Sequence, residues 1–218
     1  MIRFMQWLHR WVSLVLVIQV ALWLVSGLFF SLTGHHGMSG HQYMVSKNSE
    51  PPLKKIAPQI DVTEMHQRFP LAHSIELVSV AGVGQYQVSL PDGRLLYFNA
   101  DTGERWSTDQ ALATQLALNS YNGPGQVERV ERVKGSDEVN GWNASGFRID
   151  IEDDLNTRIY IDEASSRVVE HRNTPWTIAD WAFRLHFMDY TGGRSFNHRL
   201  IWSAGLFALW FSLSGLIL

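Results

Sequence analysis

The chain contains no cysteine. That absence removes disulfide frameworks, thiol redox motifs, Cys-ligated zinc, iron–sulfur clusters and c-type haem attachment together. A metal or redox cofactor would have to be held by His, Met, Asp, Glu or backbone. Also absent are G-x-S-x-G, H-E-x-x-H, P-loop and dinucleotide fingerprints, so the residues offer no sign of hydrolysis or a built-in NAD site. With 18 Lys and Arg against 21 Asp and Glu there is no basic excess, and nucleic acid is not an expected partner.

Charge is missing in two particular places. Val12–Leu32 and Leu200–Leu218 hold no Asp, Glu, Lys or Arg, so every charged residue falls elsewhere. The near-zero mean hydropathy of −0.09 therefore averages two apolar runs and a polar middle. Each run is long enough, at about 1.5 Å per residue, to cross a hydrocarbon core of about 30 Å. The first exceeds the usual h-region of a cleaved signal peptide and lacks an A-x-A-like site after it, so it reads as an uncleaved anchor. Arg3 and Arg10 precede it with no acid before Glu50, which predicts a cytoplasmic N-terminus. The second span then returns inward, and it is expected to end without a cytoplasmic tail. The segment between them, outside the membrane, carries all 21 acids.

That segment reads as an internal repeat. Tyr86–Asp92 aligns with Phe147–Asp153, and Leu96–Gly103 with Ile159–Ser166. Alternation of Tyr86, Val88 and Leu90, and of Phe147, Ile149 and Ile151, predicts half-buried strands. Pro91-Asp92-Gly93 and Asp153–Asn156 supply turns. A helical stretch precedes each hairpin, near Val62–Phe69 and Thr108–Ser120, the latter capped by Ser107 or Thr108. The fold class is thus an α+β membrane protein: two transmembrane helices flanking a domain of two helix-plus-antiparallel-sheet modules. The expected divisions are 1–33 (N-terminal end and first span), 34–60 (His/Met/Gly-rich linker), 61–106 and 107–174 (the two modules), 175–195 (interfacial helix and turn) and 196–218 (second span).

With the repeat in view, a resemblance becomes usable. The helix-plus-hairpin units, with YFNADTGE and IYIDEASS closing their second strands, resemble PepSY modules. Leu8-His9-Arg10-Trp11 leading into a span resembles the PepSY-associated transmembrane family. So do Leu185-His186 through Gly193 and Asn197-His198-Arg199 leading into Gly205-Leu206 and Ser214-Gly215-Leu216. The resemblance implies a haem b-containing ferric reductase of the bacterial inner (cytoplasmic) membrane, acting on periplasmic ferric iron or a ferric chelate during iron uptake. It implies a functional link to a ferrous iron importer and an electron donor that is either a quinol or a cytoplasmic reductase. Larger members have four or more spans; two spans here imply a homodimer whose four helices form a bundle in membrane lipid. Other PepSY proteins inhibit or regulate peptidases, so a non-enzymatic binding or regulatory module is the alternative.

Haem b without cysteine needs axial His or Met, and the candidate ligands are His9, His186 and His198. His9 stands before the first span and His198 begins the second, so about 30 Å of membrane separates them and they cannot share one iron. His198 can pair with His186 across Gly192-Gly193 or with its dimer mate. Trp181, Leu185 and Met188 mark an interfacial amphipathic helix. Small residues repeat by sevens below the histidines (Ser13, Val20, Gly27, Gly34; Gly205, Ser212), which suits either a flat macrocycle or close helix contact. A second group, His35, His36 and His41 with Met38 and Met44 among glycines, suits copper best and equally reads as a membrane-exit loop; a copper-handling protein is the third reading. Glu152, Asp153 and Asp154 are oxygen donors for ferric iron or an ordinary solvated turn. His66, His73 and His171 show no ligand spacing.

Overall fold

The structure is a computed structural model describing residues 2–45, 57–190 and 197–217. The expected Gly192-Gly193 turn, Lys47, Glu50 and Arg194 lie outside the described residues. Two compact units emerge, one from residues 1–40 with 174–218 and one from residues 41–173.

The first unit is helical: α1 (Ile2–Met38), α4 (Thr174–Phe187) and α5 (Arg199–Ile217). Two of its helices, over Gln6–Met38 and Arg199–Leu216, are long and apolar enough to cross a membrane. The helix α1 continues past the expected end of the span because nothing before Gly34 interrupts it. At Gly34 the backbone turns to φ +70°, where a side chain would be strained, and the helical ladder breaks. His9 near the start of α1 meets Ser214 near the end of α5, so the two long helices run antiparallel. The shorter α4 packs on α1 at the opposite end, where Ser26 meets His186. Ala179 and Ala182 are buried in α4, while Trp181 stays 60% exposed.

The second unit contains two antiparallel sheets, each covered by a helix. The first combines α2 (Val62–Arg68) with β1 (Ser74–Val80), β2 (Val83–Ser89) and β3 (Leu95–Asn99) in the order β1-β2-β3. Met65, Tyr86, Val88 and Phe98 form its core, and the Tyr86 hydroxyl donates to the Ile60 carbonyl at 2.8 Å. The second combines α3 (Gln110–Asn119) with β4 (Gln126–Lys134), β5 (Ser145–Glu152), β6 (Arg158–Asp162) and β7 (Val168–Arg172) in the order β4-β5-β6-β7. Here Ala113 and Ala117 lie against Phe147, Ile149, Ile151, Ile159 and Ile161. Alanines on the buried face let α3 approach the sheet closely while the isoleucines fill the layer between them.

The expected inward alternation and both turns are present, and each sheet is larger than a hairpin. The cap of α3 differs from expectation: Asp109 Oδ1 accepts the Leu112 N–H at 2.8 Å. Thr108 is drawn instead into a buried hydroxyl pair with Ser166 at 2.6 Å, beside the Trp106 indole N–H that donates to the same Ser166 Oγ at 2.8 Å. Those contacts join the two sheet modules.

Candidate functional site

Two of the three candidate axial histidines occupy matching surroundings. His186, on α4, places Nδ1 2.9 Å from Ser26 Oγ of α1. That hydroxyl also donates to the Leu22 carbonyl at 2.6 Å, four residues back in its own helix. A serine has one hydroxyl proton; once it is given to a carbonyl, the oxygen can only accept from the imidazole. The hydrogen-bond network therefore assigns His186 the Nδ1–H tautomer, leaving a lone pair on Nε2.

His9 repeats the arrangement between α1 and α5. Its Nδ1 lies 3.1 Å from Ser214 Oγ, and Ser214 donates to the Phe211 carbonyl at 2.9 Å. The same count leaves His9 Nε2 with its lone pair. Its ring stacks on Phe211 at 4.3 Å between centroids. Neither Nε2 has a hydrogen-bond partner among the described residues. Both serines are buried, Ser26 to 4% exposure and Ser214 to 5%.

Each serine is followed by a glycine that the ring lies against. A Cβ at Gly27 would stand 3.8 Å from His186 Cε1, and one at Gly215 would stand 3.4 Å from His9 Cε1. The tripeptide Ser-Gly-Leu thus occurs once in each long helix, at Ser26–Leu28 and Ser214–Leu216, and each copy receives a histidine from another helix. Seventeen residues separate His9 from Ser26 along α1, about 25 Å at the helical rise. The two histidines are stations at different depths and cannot bind a common atom.

His198 differs. Its Nε2 lies 2.8 Å from the Phe187 carbonyl oxygen, which can only accept, so Nε2 carries the proton. That bond ties the start of α5 to the end of α4 and leaves the ring's lone pair on Nδ1 rather than Nε2. Between the levels of the two stations, α1 and α5 border an open apolar groove of about 660 Å³, whose wall residues Trp11, Val15 and Phe207 are more than half exposed and whose lining includes neither His9 nor His186. This volume lies within the usual range for small-molecule and cofactor sites.

No family, curated protein or solved structure matches this chain.

The remaining expected site residues are distributed across both units. His35 and His36 follow the Gly34 break in the first unit; His41 belongs to the second, with Nε2 2.6 Å from Glu170 Oε1. Among the described residues no three His, Asp or Glu side chains gather as a metal site. Glu152, Asp153 and Asp154 close β5, and the last two accept hydrogen bonds from Tyr121 and Tyr43. The sequence reasoning missed both tyrosines and both serines. The repeated Ser-Gly-Leu was an available signal for the serines; Tyr43 and Tyr121 are 78 residues apart and gave none.

Proposed function

We propose that the chain is a haem b-containing reductase of the PepSY-associated transmembrane kind, working as a homodimer in the bacterial inner membrane and reducing periplasmic ferric iron to the ferrous form for uptake. The observation that carries this reading is the pair of histidines whose Nδ1–H is committed to a serine hydroxyl and whose Nε2 lone pair has no hydrogen-bond partner among the described residues. Iron in haem binds imidazole through such a lone pair, and an outer hydrogen bond at the other nitrogen fixes ring orientation and raises ligand basicity. The space over Gly27 and Gly215 is filled by the imidazoles themselves, and the apolar groove between the two levels is lined by neither histidine, so the fit to haem rests on the two Nε2 lone pairs. Bound haem would supply one-electron oxidation and reduction.

The chain's own residues have distinct parts in this proposal. His9 and His186 supply one Nε2 each at separate depths, while Ser214 and Ser26 hold their tautomers. Phe211 and Phe30 wall the rings, with Phe30 edge-on to His186 at 5.7 Å. The apolar side chains of α1 and α5 keep water from the path. His198 acts through its bond to Phe187, positioning the α4 segment that carries His186. Each chain offers one Nε2 at each level, and in the proposed homodimer the same histidine of the second chain would offer another to hold the haem. The external face of the dimer takes the ferric substrate.

A dithionite-reduced minus oxidised spectrum of the purified full chain, with a pyridine haemochrome assay, tests the proposal. Expected is a b-type Soret difference that is weakened or shifted by His9→Ala and by His186→Ala. Protein purified from haem-supplied cells with no reducible Soret band would reject the reductase and favour the regulatory module.

A further inference from the structure

The chain carries the dipeptide Asn-Gly twice, at Asn122-Gly123 and Asn140-Gly141, and both copies lie in the residues 41–173 unit. This pair of residues has a chemistry of its own. The backbone nitrogen that follows an asparagine can reach the side-chain Cγ and close a five-membered ring. It does so when the peptide between them is able to turn and the next residue has no Cβ in the way, which glycine provides. The fold treats the two copies in opposite ways.

Asn140-Gly141 is the open copy. Trp142 N–H donates to Val139 O at 3.3 Å, so the two residues form the centre of a reverse turn. Gly141 sits at φ +74° while Asn140 keeps a negative φ, the combination of a type II turn. Asn140 is exposed, and the peptide group joining it to Gly141 makes no hydrogen bond among the described residues, through N–H or oxygen. A Cβ at Gly141 would meet nothing within 4 Å. Asn122-Gly123 is the closed copy. Asn122 N–H donates to Tyr43 O at 2.8 Å, and a Cβ at Gly123 would collide with the Tyr121 hydroxyl and the Tyr43 ring. Tyr121 is fastened in turn, donating to Asp153 Oδ2 at 2.8 Å and accepting the Gly125 N–H at 3.0 Å. The peptide there cannot turn without moving both rings.

The geometry points to Asn140 as a site of self-modification, where the folded chain converts a side-chain amide to a carboxylate while sparing Asn122. Gly141 N, having given its proton to solvent base, attacks Asn140 Cγ. The N–Cγ bond forms, the Cγ–Nδ2 bond breaks, and ammonia leaves with a proton from solvent. Water then opens the succinimide ring. Cleavage of the N–Cγ bond leaves aspartate in an unaltered backbone; cleavage of the bond to the Asn140 backbone carbonyl leaves isoaspartate. One water is consumed and one ammonia released, with no change in oxidation state. Because the first step uses a deprotonated nitrogen, the rate rises with pH. The product puts a new negative charge close in sequence to Asp137 and Glu138. It lies in a segment fixed to β6 on both sides of the turn. Glu138 Oε2 accepts from Arg158 Nε at 2.8 Å and from the Tyr160 hydroxyl at 2.6 Å, and the Trp142 indole N–H donates to Asp162 Oδ2 at 3.0 Å. Isoaspartate inserts a methylene into the backbone between those two anchors.

The test incubates the full chain in detergent at mildly alkaline pH and follows it by peptide mapping with mass spectrometry and by methylation with isoaspartyl methyltransferase. The peptide holding Asn140 is expected to gain one dalton and to accept methyl groups. It should do so about tenfold faster than the peptide holding Asn122, the factor that one backbone hydrogen bond makes in a rate. In guanidinium the clamp on Asn122 is gone, and the two peptides should react at similar rates. On native isoelectric focusing an acidic band should grow with time. Asn140→Asp should carry that band from the start, and Asn140→Gln, whose longer side chain needs a six-membered ring, should not develop it. Equal rates in the folded chain, or faster loss of the Asn122 amide, would overturn the site. A tenfold preference that persists in guanidinium would overturn it too, because the choice would then belong to sequence and not to the fold.

Discussion

Single hydroxyl protons decide what two histidines can do. Ser26 and Ser214 each give their proton to a carbonyl of their own helix and their lone pair to an imidazole. Under the proposed haem reading, Ser26→Ala or Ser214→Ala is expected to weaken haem retention by about 10–100-fold, the range for outer-shell partners of a metal ligand, without removing the ligand itself. Haem off-rates to apomyoglobin measure it. A third histidine uses the same device to a different end. His171 is fully buried; Ser120 Oγ donates to Ala117 O and so accepts from His171 Nε2–H at 2.9 Å, leaving Nδ1 without a hydrogen-bond partner among the described residues. Burial, reinforced by His41 and Arg172 against the opposing pull of Glu170, lowers this imidazole from 6.5 to about 4. As pH falls the unfolded chain takes the proton first, so the contribution is complete above about 6.5 and is lost down to about 4. The total is about 3 kcal/mol at 1.36 kcal/mol per pH unit. Amide exchange in β6 and β7 should accelerate between pH 7 and 4.5, and His171→Gln should flatten that dependence. Histidines at the span borders were visible in the sequence; their tautomers were not, because a tautomer depends on hydroxyls contributed by other helices.

Among the elements, α3 shows most clearly how a cap is chosen. Asp109 precedes Gln110 and reaches the Leu112 N–H, while Thr108 is held by Ser166. Asp109→Ala should cost about 1 kcal/mol, with little effect from Ser107→Ala, and urea unfolding of the full chain reports the difference. The helices, both turns and the inward strands β2, β3, β5 and β6 were legible because period 2 and turn chemistry are local properties. The outer strand β4 was not. Val127, Val130 and Val133 recur every three residues, and the register shifts between Val127 and Arg129, so no clean alternation survives. Strands β1 and β7 exist by pairing with β2 and β6, a relation that no short window of sequence contains.

At the scale of the whole molecule, topology is the property most open to test. Positive residues at Arg3 and Arg10 place the N-terminus inside under the proposed reading. Because the chain has no cysteine, single introduced thiols report without background. Ser107→Cys should react with an impermeant maleimide in spheroplasts, and Gln6→Cys only after lysis; the opposite pattern would invert the proposed direction of electron delivery. The lengths of the two spans and their lack of charge were readable residue by residue. That α4 lies along α1, and that the spans meet head to tail through His9 and Ser214, came only with three-dimensional packing. One feature of that packing governs how the first unit can respond to its surroundings. The unbroken stretch of α1 before Gly34 carries both station contacts, donating His9 at one end and Ser26 near the other. A stiff rod fixed at two points cannot slide or tilt to relieve one contact without disturbing the other. Under the proposed membrane reading, a bilayer mismatch that tilts α1 thereby acts on both histidines together, and the lipid itself becomes a mechanical input to the spacing of the two stations.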